Sequence, residues 1–279
     1  MTVRDALILS EARLEAAGIE SFEVEAKQLV AALLEIPLGE LILRRTEPLT
    51  SEQEKRLSGW LERRASREPL QHVLEVTPFY GLELAVNPSV LIPRPETERL
   101  TELVLEVVRE MSAPKILDVG TGSGAIALAL KHERPDAVVM ATDVFEDALS
   151  VAEENARRLG LEVSFALSDL LAAPAVQTFV KEADVLVSNL PYLPDDDRDR
   201  VSPEVRRDPA TALYSGRDGL EHFRRLESEA FSLLRPGVFC LLELDGRNVW
   251  QAAELARRWT RLEVLKDLTG RERFLRLES

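Results

Sequence analysis

The chain is poor in the residues that build disulfides and metal centres. Cys240 is the single cysteine among 279 residues, which excludes a disulfide within the chain. It sits in the apolar run Val238-Phe239-Cys240-Leu241-Leu242-Glu243-Leu244 and reads as a small buried hydrophobe in a reducing compartment. The three histidines, His72, His132 and His222, are scattered without ligand spacing. No metal site is expected, and each reads as a surface or packing residue. No apolar run approaches a membrane span, and Asp5 falls early with no signal-peptide core around it, so a soluble, cytoplasmic protein is expected. Positive charge is also short. Thirty-five Lys and Arg against 49 Asp and Glu leave a net charge of −14, with both signs spread along the chain. That balance disfavours tight, sequence-independent binding to nucleic-acid phosphates.

What is present divides the chain. Residues 1–75 read as helical, with apolar positions at helical spacing in Ala6, Leu7, Leu9 and Leu14 and again in Ala26, Leu29, Val30, Leu33 and Leu34. Gly18 is placed to end the first helix and Ser21 to cap the second, with Glu23 and Glu25 at its positive dipole end. Ser51 with Glu54 has the spacing of a capping box for the helix carrying Leu57, Trp60 and Leu61. Residues 76–92 contain Thr77-Pro78-Phe79-Tyr80-Gly81 and the period-2 stretch Leu82-Glu83-Leu84-Ala85-Val86, a hairpin connecting to the rest. Residues 93–279 alternate strands and helices. Strands are expected at 115–119, 137–142, 162–166, 183–188, 238–244, 262–268 and 273–277, and helices at 124–131, 146–159, 220–234 and 249–259. This pattern predicts an α/β domain with a mostly parallel sheet covered on both faces. Asp195 to Arg200 reads as a charged surface loop.

Ile116-Leu117-Asp118-Val119-Gly120-Thr121-Gly122-Ser123-Gly124 is an apolar strand ending in a glycine-rich turn that opens a helix. The turn lets backbone approach a ligand at a helix N-terminus. Gly120, Gly122 and Ala125 also satisfy the dinucleotide pattern, and Asp143, about 20 residues on, could accept from the ribose hydroxyls of either a nicotinamide cofactor or S-adenosylmethionine. Two features favour S-adenosylmethionine. Asp118 precedes the glycines, where its charge suits a sulfonium or ammonium better than a pyrophosphate. The proton donor expected of a hydride-transfer enzyme is also missing. Asp169 is placed to accept from an adenine amino group and Leu170 to pack on the adenine plane, although Ser168-Asp169 is equally ordinary turn chemistry.

Asp184-Val185-Leu186-Val187-Ser188 runs into Asn189-Leu190-Pro191-Tyr192. On its own this is a strand ending in an X-Pro turn. After a buried strand and downstream of the glycine turn, it suits an enzyme that methylates a planar nitrogen. Such a nitrogen has its lone pair in the π-system, so the site must hold both N–H groups on acceptors and aim the lone pair at an electrophile. Asn189 offers a side-chain carbonyl. Pro191 restrains Leu190 to extended backbone, so its carbonyl offers a second acceptor, and Tyr192 offers an aromatic face.

With these motifs in this order, the chain resembles the HemK family of protein-(glutamine-N5) methyltransferases, in particular the members that act on peptide-chain release factors. Val90-Leu91-Ile92-Pro93-Arg94-Pro95-Glu96-Thr97-Glu98, Ala212 to Leu220 and Asp267 to Arg273 are similar to family segments, so the resemblance covers nearly the whole chain. It implies a Rossmann-like S-adenosylmethionine-dependent methyltransferase domain with a small N-terminal helical bundle for substrate recognition, joined by a β-hairpin. It implies cofactor contacts from Asp118, Gly120, Thr121, Gly122, Ser123, Gly124, Asp143, Asp169, Leu170 and Asn189, and a catalytic grip on the glutamine of the GGQ motif by Asn189, Leu190, Pro191 and Tyr192. The alternatives are an exocyclic amine of nucleic acid or a glutamine of a ribosomal protein. Neither a membrane nor a nucleic acid is expected as a partner. Leu190 stands where the family carries proline, Leu170 where many members carry an aromatic, and Ser215 where a glycine is common. Glu243-Leu244-Asp245-Gly246 departs from the family pattern and is given no role. Pro95 followed by Glu96 and Glu98 is also good helix-start chemistry.

Overall fold

A computed structural model describes residues 1–279, and the chain divides into two compact units. The smaller comprises Met1–Val76 together with Ser202–Arg207. Its helices are α1 (Val3–Ala16), α2 (Phe22–Leu34), α3 (Ser51–Ala65) and the short α4 (Leu70–Leu74). Their apolar faces close one core around Leu14, Leu29, Val30, Leu57 and Leu61, while Leu9, expected there, is exposed. Gly18 ends α1 in the left-handed region, and the Ile19 amide reaches back to the Leu14 carbonyl. The caps differ from the sequence reading at two places. The capping box of α3 is Thr50 with Gln53, one residue earlier than expected, and Ser51 is already helical. Ser21 holds the N-cap position of α2, but its hydroxyl donates to the Glu25 carboxylate and caps no amide. Glu25 in turn accepts from the buried Arg64 guanidinium, which with Arg67 also holds Glu204 of the later segment.

The larger unit comprises Thr77–Val201 and Asp208–Ser279. The hairpin β1 (Val76–Phe79) and β2 (Leu82–Ala85) turns through Tyr80 and Gly81, both at positive φ. Expected as a connecting linker, it is packed on this unit. Phe79, Leu82 and Leu84 share a core cluster with Leu128, Ala129 and Ala156, and Asn155 bonds both the N–H and C=O of Ala85.

After the hairpin come α5 (Pro95–Val107), β3 (Lys115–Val119), α6 (Ala125–Glu133), β4 (Val138–Asp143), α7 (Glu146–Leu159), β5 (Ser164–Leu167), α8 (Pro174–Val180), β6 (Val185–Ser188), α9 (Glu221–Leu233), β7 (Phe239–Glu243), α10 (Val249–Leu255), β8 (Arg261–Lys266) and β9 (Glu272–Glu278). The seven-stranded sheet has the order β5-β4-β3-β6-β7-β9-β8. β3 to β7 pair in parallel and β9 runs antiparallel between β7 and β8. All the expected strands are present, with ends shifted by a few residues, and α7 has the bounds read from sequence. α8 was not expected, because its seven residues are too few to show a helical period. Consecutive strands add outward from β3 on one side, while β6 continues on the other. The C-terminal ends of β3 and β6 therefore flank the switch point where an open α/β sheet leaves a crevice. No helix is long and apolar enough to cross a membrane.

Candidate active site

At that crevice lies a cavity of about 470 Å³. Its floor is the glycine turn after β3. The amides of Gly120 and Thr121 both donate to the Thr142 carbonyl at 2.8 Å, tying the turn to the end of β4. The Gly122 amide donates to Asp143 Oδ2 at 2.9 Å and the Phe145 amide to Oδ1 at 3.1 Å. Burial raises the Asp143 pKa, and these amides pull it back. Gly120, Thr121, Gly122, Ser123 and Asp143 all line the cavity, as do Leu170 and Asn189.

Two residues expected to contact a cofactor do not line it. Asp118 is wholly buried beneath the turn, where it accepts from the Thr121 hydroxyl at 2.7 Å and faces the first-turn amide of Ala127 in α6. Burial pushes its pKa up to about 7. It acts as an internal cap for a helix whose N-cap, Gly124, has no side chain to offer. Gly124 itself occupies that left-handed N-cap behind the cavity wall.

Asp169 reaches the rim already engaged, its Oδ2 taking a 2.7 Å hydrogen bond from Arg225, so it offers a shared carboxylate to any ligand. Leu170 lines the wall from a left-handed backbone, φ 50°, unusual for a side chain of its size. The strain is held by its neighbours: the Ser168 hydroxyl donates to the Leu170 carbonyl and the Leu171 amide to Glu229.

The four residues after β6 separate into two groups. Asn189, Leu190 and Pro191 line the cavity. Asn189 donates its amide nitrogen to Thr97 Oγ1 at 3.1 Å, and its Oδ1 is buried without a partner. Leu190 lays a methyl over Gly120, where a Cβ would come within 2.7 Å of it. Tyr192, expected to face the substrate, instead packs into the core and points its hydroxyl at Glu243 Oε1, 3.4 Å away. Burial raises the pKa of its phenol strongly.

The Tyr192 carbonyl accepts from Asn248 Nδ2 at 3.0 Å, and Gly219 presses against it so closely that a Cβ there would sit 2.2 Å from the oxygen. Beyond it, Leu193 and Asp195 pair in parallel with Leu213, Ser215 and Gly216. Ser215 is wholly buried and bonds both His222 Nδ1 and the His222 amide, so the departure from glycine has a structural use. The charged loop is more than a solvated run. Asp197 is buried and paired with Arg247 and Arg200, and Arg198 stacks on Tyr214.

Sequence reading missed several cavity residues. His222 and Arg225 project from the same face of α9, three residues apart, a signal that gains meaning only once α9 is placed beside the cavity. Phe145, exposed although large and apolar, lies two residues after Asp143. Arg94 and Thr97 come from the Pro95 segment, which therefore both starts a helix and lines the site. Arg94 is ion-paired with Asp208, whose burial lifts its pKa to about 6.

The strand order and the crevice define a doubly wound α/β domain with its ligand site at the switch point. A family model described as a methyltransferase small domain matches residues 94–216, and one described as the PrmC N-terminal domain matches residues 5–74. The release factor glutamine methyltransferase of Deinococcus radiodurans is 46% identical over 277 residues, covering 99% of this chain and 98% of that one. That of Moorella thermoacetica is 39% identical over 278 residues, covering 98% and 97%. A methyltransferase from Pyrococcus furiosus shares the fold, with a TM-score of 0.50 at 19% identity over 82% of this chain and 98% of that one. The chain belongs to the release factor glutamine methyltransferase family.

Proposed function

We propose that this chain transfers the methyl group of S-adenosylmethionine to the side-chain amide nitrogen of a glutamine, and that this glutamine is the one in the GGQ motif of peptide-chain release factors. The observation that carries the reading is Asn189 Oδ1, a buried acceptor without a partner on the wall of the cavity floored by the glycine turn. A buried acceptor on a cavity wall is open to a donor from outside the chain.

The glycine turn, with little side-chain bulk to keep a ligand off its backbone, and the Asp143 carboxylate suit the amino-acid and ribose parts of S-adenosylmethionine, and Phe145 and Leu170 give apolar wall for a base. When bound, that molecule supplies an electrophilic methyl on a positively charged sulfur. The chain's own part is orientation. Asn189 Oδ1 and the Leu190 carbonyl each accept one hydrogen of the glutamine –NH₂, which raises electron density on nitrogen and turns its lone pair toward the methyl carbon. As the N–C bond forms, the S–CH₃ bond breaks and its electron pair leaves with the now neutral thioether, while the nitrogen gains acidity and releases a proton to water, so no strong general base is required.

The test is to incubate the protein with isotope-labelled S-adenosylmethionine and either a release factor or DNA, and to map the label by mass spectrometry. Label is expected on the GGQ glutamine, and label on DNA or on neither would overturn the reading. In Asn189→Ala, transfer should be lost while S-adenosylmethionine binding, measured by calorimetry, is largely kept.

A further inference from the structure

An asparagine side chain can present oxygen or nitrogen to the same place, because its two ends are nearly isosteric. For Asn189 the choice is decisive. With Oδ1 toward the site it accepts from an amide –NH₂, and with Nδ2 there it opposes donor to donor. What sets the choice is the partner on the other end, the Thr97 hydroxyl, 3.1 Å from Asn189 Nδ2. A hydroxyl can donate or accept, so Thr97 fixes the asparagine only if its own proton is already claimed.

Glu243 is placed to claim it. It ends β7 and is 2% exposed, and α5, which packs against β7, carries Thr97, 4% exposed. Its Oε1 takes the Tyr192 hydroxyl, while Oε2 is buried without a hydrogen-bond partner, and the Thr97 hydroxyl lies near enough to lower the pKa of the carboxyl. Burial, with a smaller push from Glu96, lifts the pKa of the carboxyl to about 7, against the lowering effects of the Thr97 hydroxyl, the Arg273 charge and the Tyr192 hydroxyl. Glu243 does not line the cavity, so it touches neither substrate nor donor.

We infer that Glu243 is a positioning residue for methyl transfer. In its ionised form Glu243 accepts the hydrogen bond of the Thr97 hydroxyl, which leaves Thr97 Oγ1 only lone pairs to offer, so Asn189 must give it Nδ2 and hold Oδ1 for the substrate amide. The chain of donation runs in one direction, from substrate N–H to Asn189 Oδ1, from Asn189 Nδ2 to Thr97 Oγ1, and from the Thr97 hydroxyl to Glu243. The Tyr192 hydroxyl, on the other carboxylate oxygen, ties the end of the same Asn189–Tyr192 segment to this anchor. The inference rests on the reading of Asn189 as the substrate acceptor, and it gives a task to two segments, around Thr97 and Glu243, that the cofactor and substrate contacts leave without one.

The test uses the full-length protein with S-adenosylmethionine and a release factor at about pH 8.5, where the Glu243 carboxyl is ionised, comparing Glu243→Gln, Thr97→Val, Thr97→Ser, the double variant Thr97→Val/Glu243→Gln, and Asn189→Ala. Glutamine at 243 can donate as well as accept and no longer commits the Thr97 proton. Valine at 97 keeps the shape and removes the hydroxyl. In Glu243→Gln and Thr97→Val, kcat should fall roughly 10- to 100-fold, the cost of a reversed or missing buried hydrogen bond at the reacting group. Thr97→Ser should recover most of the rate, and the double variant should be no slower than Thr97→Val alone, because the two act in series. Calorimetry on the enzyme alone should show the S-adenosylmethionine Kd moving by less than about threefold, since these groups act on the rate step and not on donor binding.

Parental kcat in Glu243→Gln, or losses that multiply in the double variant, would overturn the relay. If Glu243→Gln does not fold by circular dichroism, the contrast of valine with serine at 97 decides, equal rates counting against the relay. If Asn189→Ala is inactive while Thr97→Val and Glu243→Gln run at the parental rate, the relay alone fails. If Asn189→Ala keeps the parental rate, the acceptor reading fails and the relay with it.

Discussion

Gly219 shows how one missing atom governs the site. It sits at φ 76° with the Tyr192 carbonyl 2.2 Å from where its Cβ would be and Asn248 Nδ2 2.9 Å away. Gly81 has the same φ of 76° with open space around it. Alanine at Gly81 costs only the left-handed strain, about 1–2 kcal/mol. Alanine at Gly219 must in addition push back the carbonyl that ends the Asn189–Tyr192 segment, so Gly219→Ala should lose at least about 1 kcal/mol more in urea unfolding, on the scale of an overpacked site. It should also slow methyl transfer, whereas equal losses at the two glycines would mean that the carbonyl yields freely. Leu190, in place of the family's proline, is absorbed in a comparable way: its side chain fills the space over Gly120, and Pro191 still restrains its backbone from the other side.

At the scale of elements, helix starts decide where the chain turns. The Thr50 hydroxyl accepts from the Gln53 amide while the Gln53 side chain accepts from the Thr50 amide, so α3 is capped by this pair and not by Ser51. Thr50→Ala should destabilise the protein by about 1 kcal/mol and Ser51→Ala by a few tenths, read as denaturation midpoints, and the reverse order would refute the assignment. Serine and threonine are neighbours here, each with an acid or amide three residues on, so sequence spacing alone does not choose between them. The same ambiguity explains α5. Pro95 with two glutamates announces a helix start, and only the packing of α5 against β7 reveals that its third residue, Thr97, carries a hydroxyl to Asn189. Asp118 is the converse case. Its place before the glycines suggested a ligand contact, yet the strand turns the side chain inward to serve the first turn of α6.

Across the whole molecule, a net charge of −14 is carried by a fold that also buries carboxyl groups. Burial raises the pKa of Asp118 and Glu243 to about 7 and that of Asp208 to about 6. Because these folded-state values lie above the unfolded ones near 4, the native state holds protons that the unfolded chain has released. Their contribution is therefore fully present below about pH 4 and is lost as pH rises toward 7. Stability of the parent should accordingly fall relative to Asp118→Asn between pH 5 and 7.5, by up to about 1.4 kcal/mol per pH unit. Chemical denaturation at several pH values would show it, and parallel curves for the two proteins would reject it. Depressed carboxyls such as Asp136, Asp218 and Asp267, each at about 2, act in the opposite sense but only as pH falls below about 4.

By itself the sequence determined what is local: the helical first unit, the alternation of strands and helices, the glycine turn, and the Asn189-Leu190-Pro191-Tyr192 segment after a buried strand. Capping chemistry, side-chain period and backbone restriction act over a few residues, and such patterns can be read directly. Only the tertiary structure decided which way those residues face and what completes them. It turned Tyr192 into the core, withdrew Asp118 beneath the turn, engaged Asp169 with Arg225, and brought Thr97 to Asn189 across 92 positions and Glu243 to Tyr192 across 51. The reason is strand order. β3, β6 and β7 are neighbours in the sheet although helices and loops separate them in the chain, so their ends meet at one crevice through hydrogen bonds that no local pattern encodes.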